Sequence, residues 1–241
     1  MKTKGENDIM AGILYGAGVG PGDPELITLK AVRLIRENDV IALPGPVPEE
    51  TVAYQIAVQA VPELAKKTLV PVMMPMTHDQ DEMNRNHDKA ADLLEDYLKK
   101  EQNVIFLTLG DPTIYSTYLY VQKRIAARGY DTRLVSGITS FCAAAARTNT
   151  SLAEWNEQLH ILPAVHRLDS GLEQPGNYIL MKSGRKMNQV KEILRKSGRD
   201  VVMVENCGMK EEHIYRGVDE IPDNAGYYSL IIAKEHHSDH D

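Results

Sequence analysis

Ile13-Leu14-Tyr15-Gly16-Ala17-Gly18-Val19-Gly20-Pro21-Gly22-Asp23-Pro24 sets a short apolar run against a cluster of glycines, and an apolar-periodic helix pattern follows at once. Such a run reads as a buried strand stopped by a tight turn, with a helix starting just beyond it. Far along the chain, Leu107-Thr108-Leu109-Gly110-Asp111-Pro112 repeats the order of strand, turn and helix start. Two such strand ends in an alternating β/α chain suggest a cleft where main-chain groups approach a small ligand, and hence a cofactor-using enzyme. The plainer reading, that these glycines simply turn the chain, stands beside it.

Working outward, residues 12–16 read as a strand, Asp23 as a helix cap and Pro24 as a first-turn residue. Ile27, Ala31, Leu34 and Ile35 share one helical face, and Asp39-Val40-Ile41-Ala42-Leu43 is the next strand, stopped by Pro44-Gly45-Pro46. This βαβ unit is expected to cross over right-handedly. The pattern continues with a helix over 49–60, a strand over 68–73, a loop over 74–79 and a long helix over 81–100. A strand over 103–109, a helix over 113–128, a strand over 131–135 and an Ala-rich helix over 141–147 complete it. Residues 11–150 are thus expected to form a mostly parallel α/β domain.

A polar connection over 149–155 breaks this rhythm. Beyond it, strands at 158–162, 177–181, 200–204, 213–217 and 227–234 share one clear helix at 186–196. Close-spaced strands with few helices predict a mixed sheet, so residues 151–235 are read as a second α/β domain. The fold class is therefore α/β in two domains.

At 241 residues the chain has length for such cores, and its net charge of −7 argues against a non-specific nucleic-acid binder. Only Cys142 and Cys207 are present, which points to a reducing compartment without a disulfide framework. The polar stretch Met1–Met10 lacks a signal-peptide core, and no run approaches the ~18 apolar residues of a membrane span. A cytoplasmic protein with no membrane partner is expected. The tail His236-His237-Ser238-Asp239-His240-Asp241 is read as a solvated terminus rather than a metal site. His78 and His87 are read as exposed polar residues, and Cys142 as a small packing residue, so no protein-bound metal is expected.

The dinucleotide fingerprint G-x-G-x-x-G fails here. Pro21 stands at its third glycine, and the second strand ends in Leu43-Pro44-Gly45 where a ribose-binding acid belongs. No G-x-x-x-x-G-K-[ST], H-E-x-x-H or G-x-S-x-G occurs, which removes support for P-loop, zinc-hydrolase and serine-hydrolase readings.

The run Gly16 through Ala31 resembles the N-terminal signature of the tetrapyrrole methylases, the S-adenosylmethionine-dependent methyltransferases of corrin and sirohaem synthesis. Leu109-Gly110-Asp111-Pro112-Thr113-Ile114-Tyr115-Ser116-Thr117-Tyr118 and Gly137-Ile138-Thr139-Ser140-Phe141-Cys142 resemble one branch of that family. That branch methylates C20 of precorrin-2 or cobalt-factor II in vitamin B12 synthesis. The similarity runs from about residue 13 to 234. It implies cofactor contacts from Pro21, Leu109, Gly110, Asp111, Ile114, Thr139, Ser140 and, in the second domain, Met181. It also implies a cofactor folded between two α/β domains, S-adenosylhomocysteine as product, and a homodimer.

Ser136 departs from a commoner proline, and Thr148-Asn149-Thr150 from a glycine-containing turn. Alternatives are a sister methyltransferase acting on uroporphyrinogen III or another precorrin carbon, and a non-catalytic cofactor-binding relative. A diphthine synthase branch fits the Tyr115-Ser116-Thr117 context less well.

The resemblance carries a chemistry. A sulfonium methyl is already activated, so the enzyme's main task is to bring carbon and methyl to about 3–3.5 Å in line. Asp23, Asp111 and Tyr115 are the candidate bases, with an Asx turn as the alternative role for Asp111. The polycarboxylate substrate needs cations, for which Arg147, Arg167, Lys182 and Arg185 are the candidates. The counter-reading makes the basic stretch 185–199 a solvated helix face.

Overall fold

A computed structural model describes residues 11–75, 79–163, 172–183 and 186–236. The chain divides into two compact units, the first ending at Ile138 and the second beginning at Thr139. This division lies ahead of the connection expected near residue 150, and it assigns the helix after Gly137 to the second unit.

In the first unit five strands run parallel: β1 (Leu14–Gly18), β2 (Val40–Pro44), β3 (Thr68–Val72), β4 (Val104–Thr108) and β5 (Thr132–Val135). Their order is β3-β2-β4-β1-β5. Helices α1 (Leu29–Glu37) and α2 (Val52–Ala60) bury Ala31, Leu34, Ile35, Ile56 and Ala57 against Ala17, Ile41, Leu43, Ile105 and Leu107. The other face carries α3 (Gln80–Leu98) and α4 (Tyr118–Ala127), whose Ala91, Leu94, Val121 and Ile125 pack with Leu14, Ala42, Val70 and Phe106. Strands covered on both faces account for the unbroken apolar runs of β2 and β4. Each large aliphatic side chain buried this way contributes about 1.5–3 kcal/mol.

The chain leaves β1 for β2 on one side of the sheet and leaves β4 for β5 on the other, while β1 and β4 lie side by side. The carboxyl ends of β1 and β4 thus flank a topological switch point, the place where open α/β sheets receive ligands.

Three boundaries differ from the pattern reading. Asp23 caps only a single 3-10 turn, Pro24–Leu26, while Thr28 accepts the Ala31 N–H and starts α1. The helix expected from 49 begins at Val52 under Thr51, after a 3-10 turn at Pro48–Glu50. The helix expected from 113 begins at Tyr118, because hydrogen bonds described below hold 113–117 in a loop.

The second unit holds α5 (Ser140–Thr148), β6 (Leu159–Pro163), β7 (Asn177–Met181), α6 (Met187–Ser197), β8 (Asp200–Glu205), β9 (His213–Arg216) and β10 (Ser229–Lys234). Its sheet order is β6-β7-β10-β8-β9, with β6 and β7 parallel and the other pairs antiparallel. Met187, Val190 and Leu194 of α6 pack with Leu180, Met203 and Ile231. At the end of α5, Asn149 takes a left-handed conformation, φ 53°. Asparagine is the non-glycine residue that tolerates this region best, which explains how Thr148-Asn149-Thr150 replaces a glycine turn.

Candidate active site

Three strand ends of the first unit meet through their main chains. The Gly20 N–H donates to the Gly110 carbonyl at 3.3 Å, and the Gly110 N–H donates back to the Gly20 carbonyl at 2.8 Å. The two bends picked out in the sequence are therefore bridged directly. The end of β5 closes in as well: a Cβ placed on Gly137 would lie 2.1 Å from the Gly110 oxygen. Gly110 itself has φ 69°, the left-handed region where a side chain is strained. Only bare backbone fits where β1, β4 and β5 converge.

Asp111, 7% exposed, locks this arrangement. One carboxylate oxygen accepts the Thr113 N–H at 2.8 Å and the Thr113 hydroxyl. The other accepts the Gly137 N–H at 2.9 Å, tying the end of β4 to the end of β5. Both oxygens are thus engaged, in an Asx-type turn that reaches a neighbouring strand. Ile114 follows, half-buried, with its N–H on the Asp111 carbonyl at 3.3 Å. Pro21 is buried directly after Gly20, and Leu109 packs against the α1–α2 core. Tyr115 is exposed with φ 49°, and Asp23 accepts the Glu25 N–H at 2.9 Å.

The sequence reading missed the support beneath this cluster. The Thr108 and Ser116 hydroxyls lie 3.0 Å apart, and Ser116 accepts the Tyr118 N–H. Tyr118 is fully buried, donates to the Leu14 and Arg133 carbonyls, and has its ring against Gly16. Burial pushes its phenol far above the usual range, so it stays a neutral donor. Gly16, with no turn to make, was the available signal.

In the second unit, Thr139 caps α5 by accepting the Cys142 N–H, and Ser140 is the first helical residue. Met181 ends β7 opposite Leu230, and Lys182 follows with φ 60°. Arg147 is bonded to Glu212 at 2.7 Å. Burial raises the Glu212 pKa, but the Gly208 N–H and Arg147 outweigh it and hold the carboxyl below its ordinary value.

Three cations of the basic stretch 185–199 already have partners within the second unit. Lys191 reaches Asp223 and the Ile221 carbonyl, and Arg195 reaches Asp219. Arg199 binds the Gly176, Leu172 and Gln174 carbonyls and lies over the Tyr178 ring. Arg167 and Arg185 lie outside the described residues, as do His78 and the tail beyond His236.

Two minor expectations are corrected. His87 is buried and stacked on Tyr120 at 4.6 Å, because α4 covers this face of α3. Cys142 is exposed, since the packed face of α5 is formed by Phe141, Ala144 and Ala145. Among the described residues no three His, Cys, Asp or Glu side chains are grouped to hold a metal, and no helix is long and apolar enough to cross a membrane.

Residues 13–220 match the family model of the tetrapyrrole (corrin/porphyrin) methylases. A probable cobalt-precorrin-2 C(20)-methyltransferase of Methanocaldococcus jannaschii is 32% identical over 92% of this chain and 95% of its own length. A precorrin-2 C(20)-methyltransferase of a Sinorhizobium species is 28% identical over 92% and 94% of the two chains. The crystal structure of a Thermus thermophilus uroporphyrin-III C-methyltransferase complexed with S-adenosylhomocysteine superposes with TM-score 0.66. That likeness, at 21% identity, covers 93% of this chain and 98% of the other and concerns the fold. With its glycine-bridged strand ends and a match along most of its length, the chain belongs to the tetrapyrrole methylase family.

Proposed function

We propose that this protein transfers a methyl group from S-adenosylmethionine to C20 of precorrin-2 or cobalt-factor II, in cobalamin synthesis. The carrying observation is the bridge between Gly20 and Gly110, locked to Gly137 by Asp111 at the switch point of the first sheet. A surface built from backbone lets a ligand approach closer than side chains would allow, and Gly137 has no room for a Cβ because the Gly110 oxygen and Gly18 pack against it. The C20 assignment draws on the two relatives that carry this name and on the Tyr115-Ser116-Thr117 and Thr139-Ser140-Phe141 contexts.

When bound, S-adenosylmethionine supplies an activated methyl on sulfonium, so the protein's contribution is alignment. The Leu109–Asp111 turn offers main-chain polar groups to the amino-acid end of the cofactor, with Pro21 and Ile114 alongside. The family resemblance also assigns Thr139, Ser140 and Met181 to the cofactor. Asp111 serves as a positioning residue, since both its oxygens already hold main-chain or side-chain donors. Lys182 and Arg147 remain the substrate-carboxylate candidates among the described residues. The protein works as a cytoplasmic homodimer in this reading, which light scattering checks.

Incubation of the purified protein with methyl-labelled cofactor and a panel of tetrapyrroles, followed by NMR of the product, tests the reading. Label at C20 of precorrin-2 or its cobalt form is the expected result. Label at another carbon, or on uroporphyrinogen III, would replace it with a sister activity. Tight S-adenosylhomocysteine binding without turnover would make the chain a non-catalytic relative.

A further inference from the structure

The edge of the first sheet carries a groove that the methyl-transfer reading does not use. It has a volume of about 370 Å³ and is lined by Tyr15, Lys30, Arg33, Glu37, Asn103 and Arg133, among others. It runs beside α1 and β5, and β5 is an edge strand. Three cations face one carboxylate there, in a chain whose net charge is −7.

The spare hydrogen-bonding capacity of this groove is mostly that of donors. Glu37 is already bonded to Arg33 at 2.7 Å. Asn103 accepts the Ile13 N–H and donates to Asn38, and Asn38 donates to the Leu34 carbonyl. The Lys30 ammonium, the Arg133 guanidinium and the Tyr15 hydroxyl have no partner among the described residues. Two unpaired cations and a phenol that can donate, beside a Glu37 carboxylate already held by Arg33, ask for an acceptor-rich anion.

Size narrows the class. Pockets for drug-sized ligands span about 300–1,000 Å³, and this groove lies at the low end. We propose that the α1–β5 groove binds a small polyvalent oxyanion, either a phosphate compound or a compact di- or tricarboxylate, held by Lys30, Arg133, Arg33 and Tyr15. The same wall reaches the cofactor cradle: the Thr28 hydroxyl at the start of α1 donates to the Ser136 carbonyl, and Gly137 is next in the chain. An anion bridging Lys30 and Arg133 would link α1 to β5, the two elements that the Thr28–Ser136 bond also joins.

Calorimetric titration of the full chain with pyrophosphate and with citrate, at constant ionic strength set by chloride, is the test. Saturable one-to-one binding of at least one probe is expected. Binding of pyrophosphate alone assigns a phosphate ligand, and of citrate alone a carboxylate ligand. The Lys30→Gln/Arg133→Gln double variant should weaken it by about tenfold or more, and Tyr15→Phe, which removes a single hydroxyl, by a few-fold. Arg195→Gln, whose guanidinium pairs with Asp219 in the second unit, should leave it unchanged. Absence of saturable binding to the wild-type chain overturns the proposal, as does equal loss in Arg195→Gln or unaltered affinity in both groove variants. Circular dichroism melting accompanies each titration, and Tyr15→Phe carries the test should the double variant not fold.

Discussion

The carboxyl ends of β1, β4 and β5 and the charged residues of the second unit solve opposite problems. At the strand ends, three chain segments approach so closely that Gly18 and Gly137 leave no room for side chains, Gly110 takes a left-handed φ of 69°, and one buried carboxylate holds them. In the second unit, long cationic side chains reach across sequence to carbonyls and acids: Arg199 to Gly176, Lys191 to Ile221, Arg195 to Asp219. The first region is built from backbone and is rigid by steric exclusion. The second is built from flexible charges, which stabilise the fold only where they are buried. Single substitutions should therefore act through shape in one region and through desolvated polar groups in the other.

Gly137→Ala presses hardest on this contrast. Its Cβ would lie 2.1 Å from the Gly110 oxygen, so backbone must move. A stability loss of about 3 kcal/mol by denaturant melts is expected. S-adenosylhomocysteine binding should disappear with it. A variant that melts and binds like the wild type would show that the strand ends are not close-packed.

Arg199→Gln is next. Its side chain is 8% exposed and holds three carbonyls, so a destabilisation of about 2–3 kcal/mol is expected in thermal melts. A change within error would reduce this network to surface decoration.

Asp111→Asn sharpens the assignment of that carboxylate. The amide can accept at only one end, so the Gly137 or the Thr113 bond is lost, at about 1–2 kcal/mol. Cofactor affinity should fall along with kcat. Unchanged cofactor affinity with a collapsed kcat would instead mark Asp111 as a base.

The smallest effect is a pH response at Arg147–Glu212. Glu212 titrates below its ordinary 4.5 in the folded chain, so its contribution is present above that pH and fades as pH falls through the lower folded value. Because Arg147 is 58% exposed, the contribution stays under about 1 kcal/mol. Glu212→Gln should flatten this part of an acid melting profile. If Arg147 also holds substrate, Arg147→Gln raises KM with little change in Tm.

Much of the first unit was legible because its signals are local. Leu14–Gly18, Val40–Pro44 and Val104–Thr108 are apolar runs closed by Gly or Pro, and the period of α1 buries Ala31, Leu34 and Ile35 as expected. The loop over 113–117 was not legible, since Asp111, Thr108 and Ser116 override a helical pattern by side-chain bonds. The buried state of His87 was also hidden, because it depends on Tyr120 from another helix.

Amino-acid order by itself determined the strand–turn–helix rhythm, the two-sheet architecture and the glycines that mark the strand ends, because steric and periodic constraints act between near neighbours. Tertiary structure alone decided which strand ends touch, where the Asp111 carboxylate is spent and which cations are left without a partner. Those outcomes depend on pairings between residues such as Asp111 and Gly137, or Arg147 and Glu212, whose distance in space bears no relation to their separation along the chain.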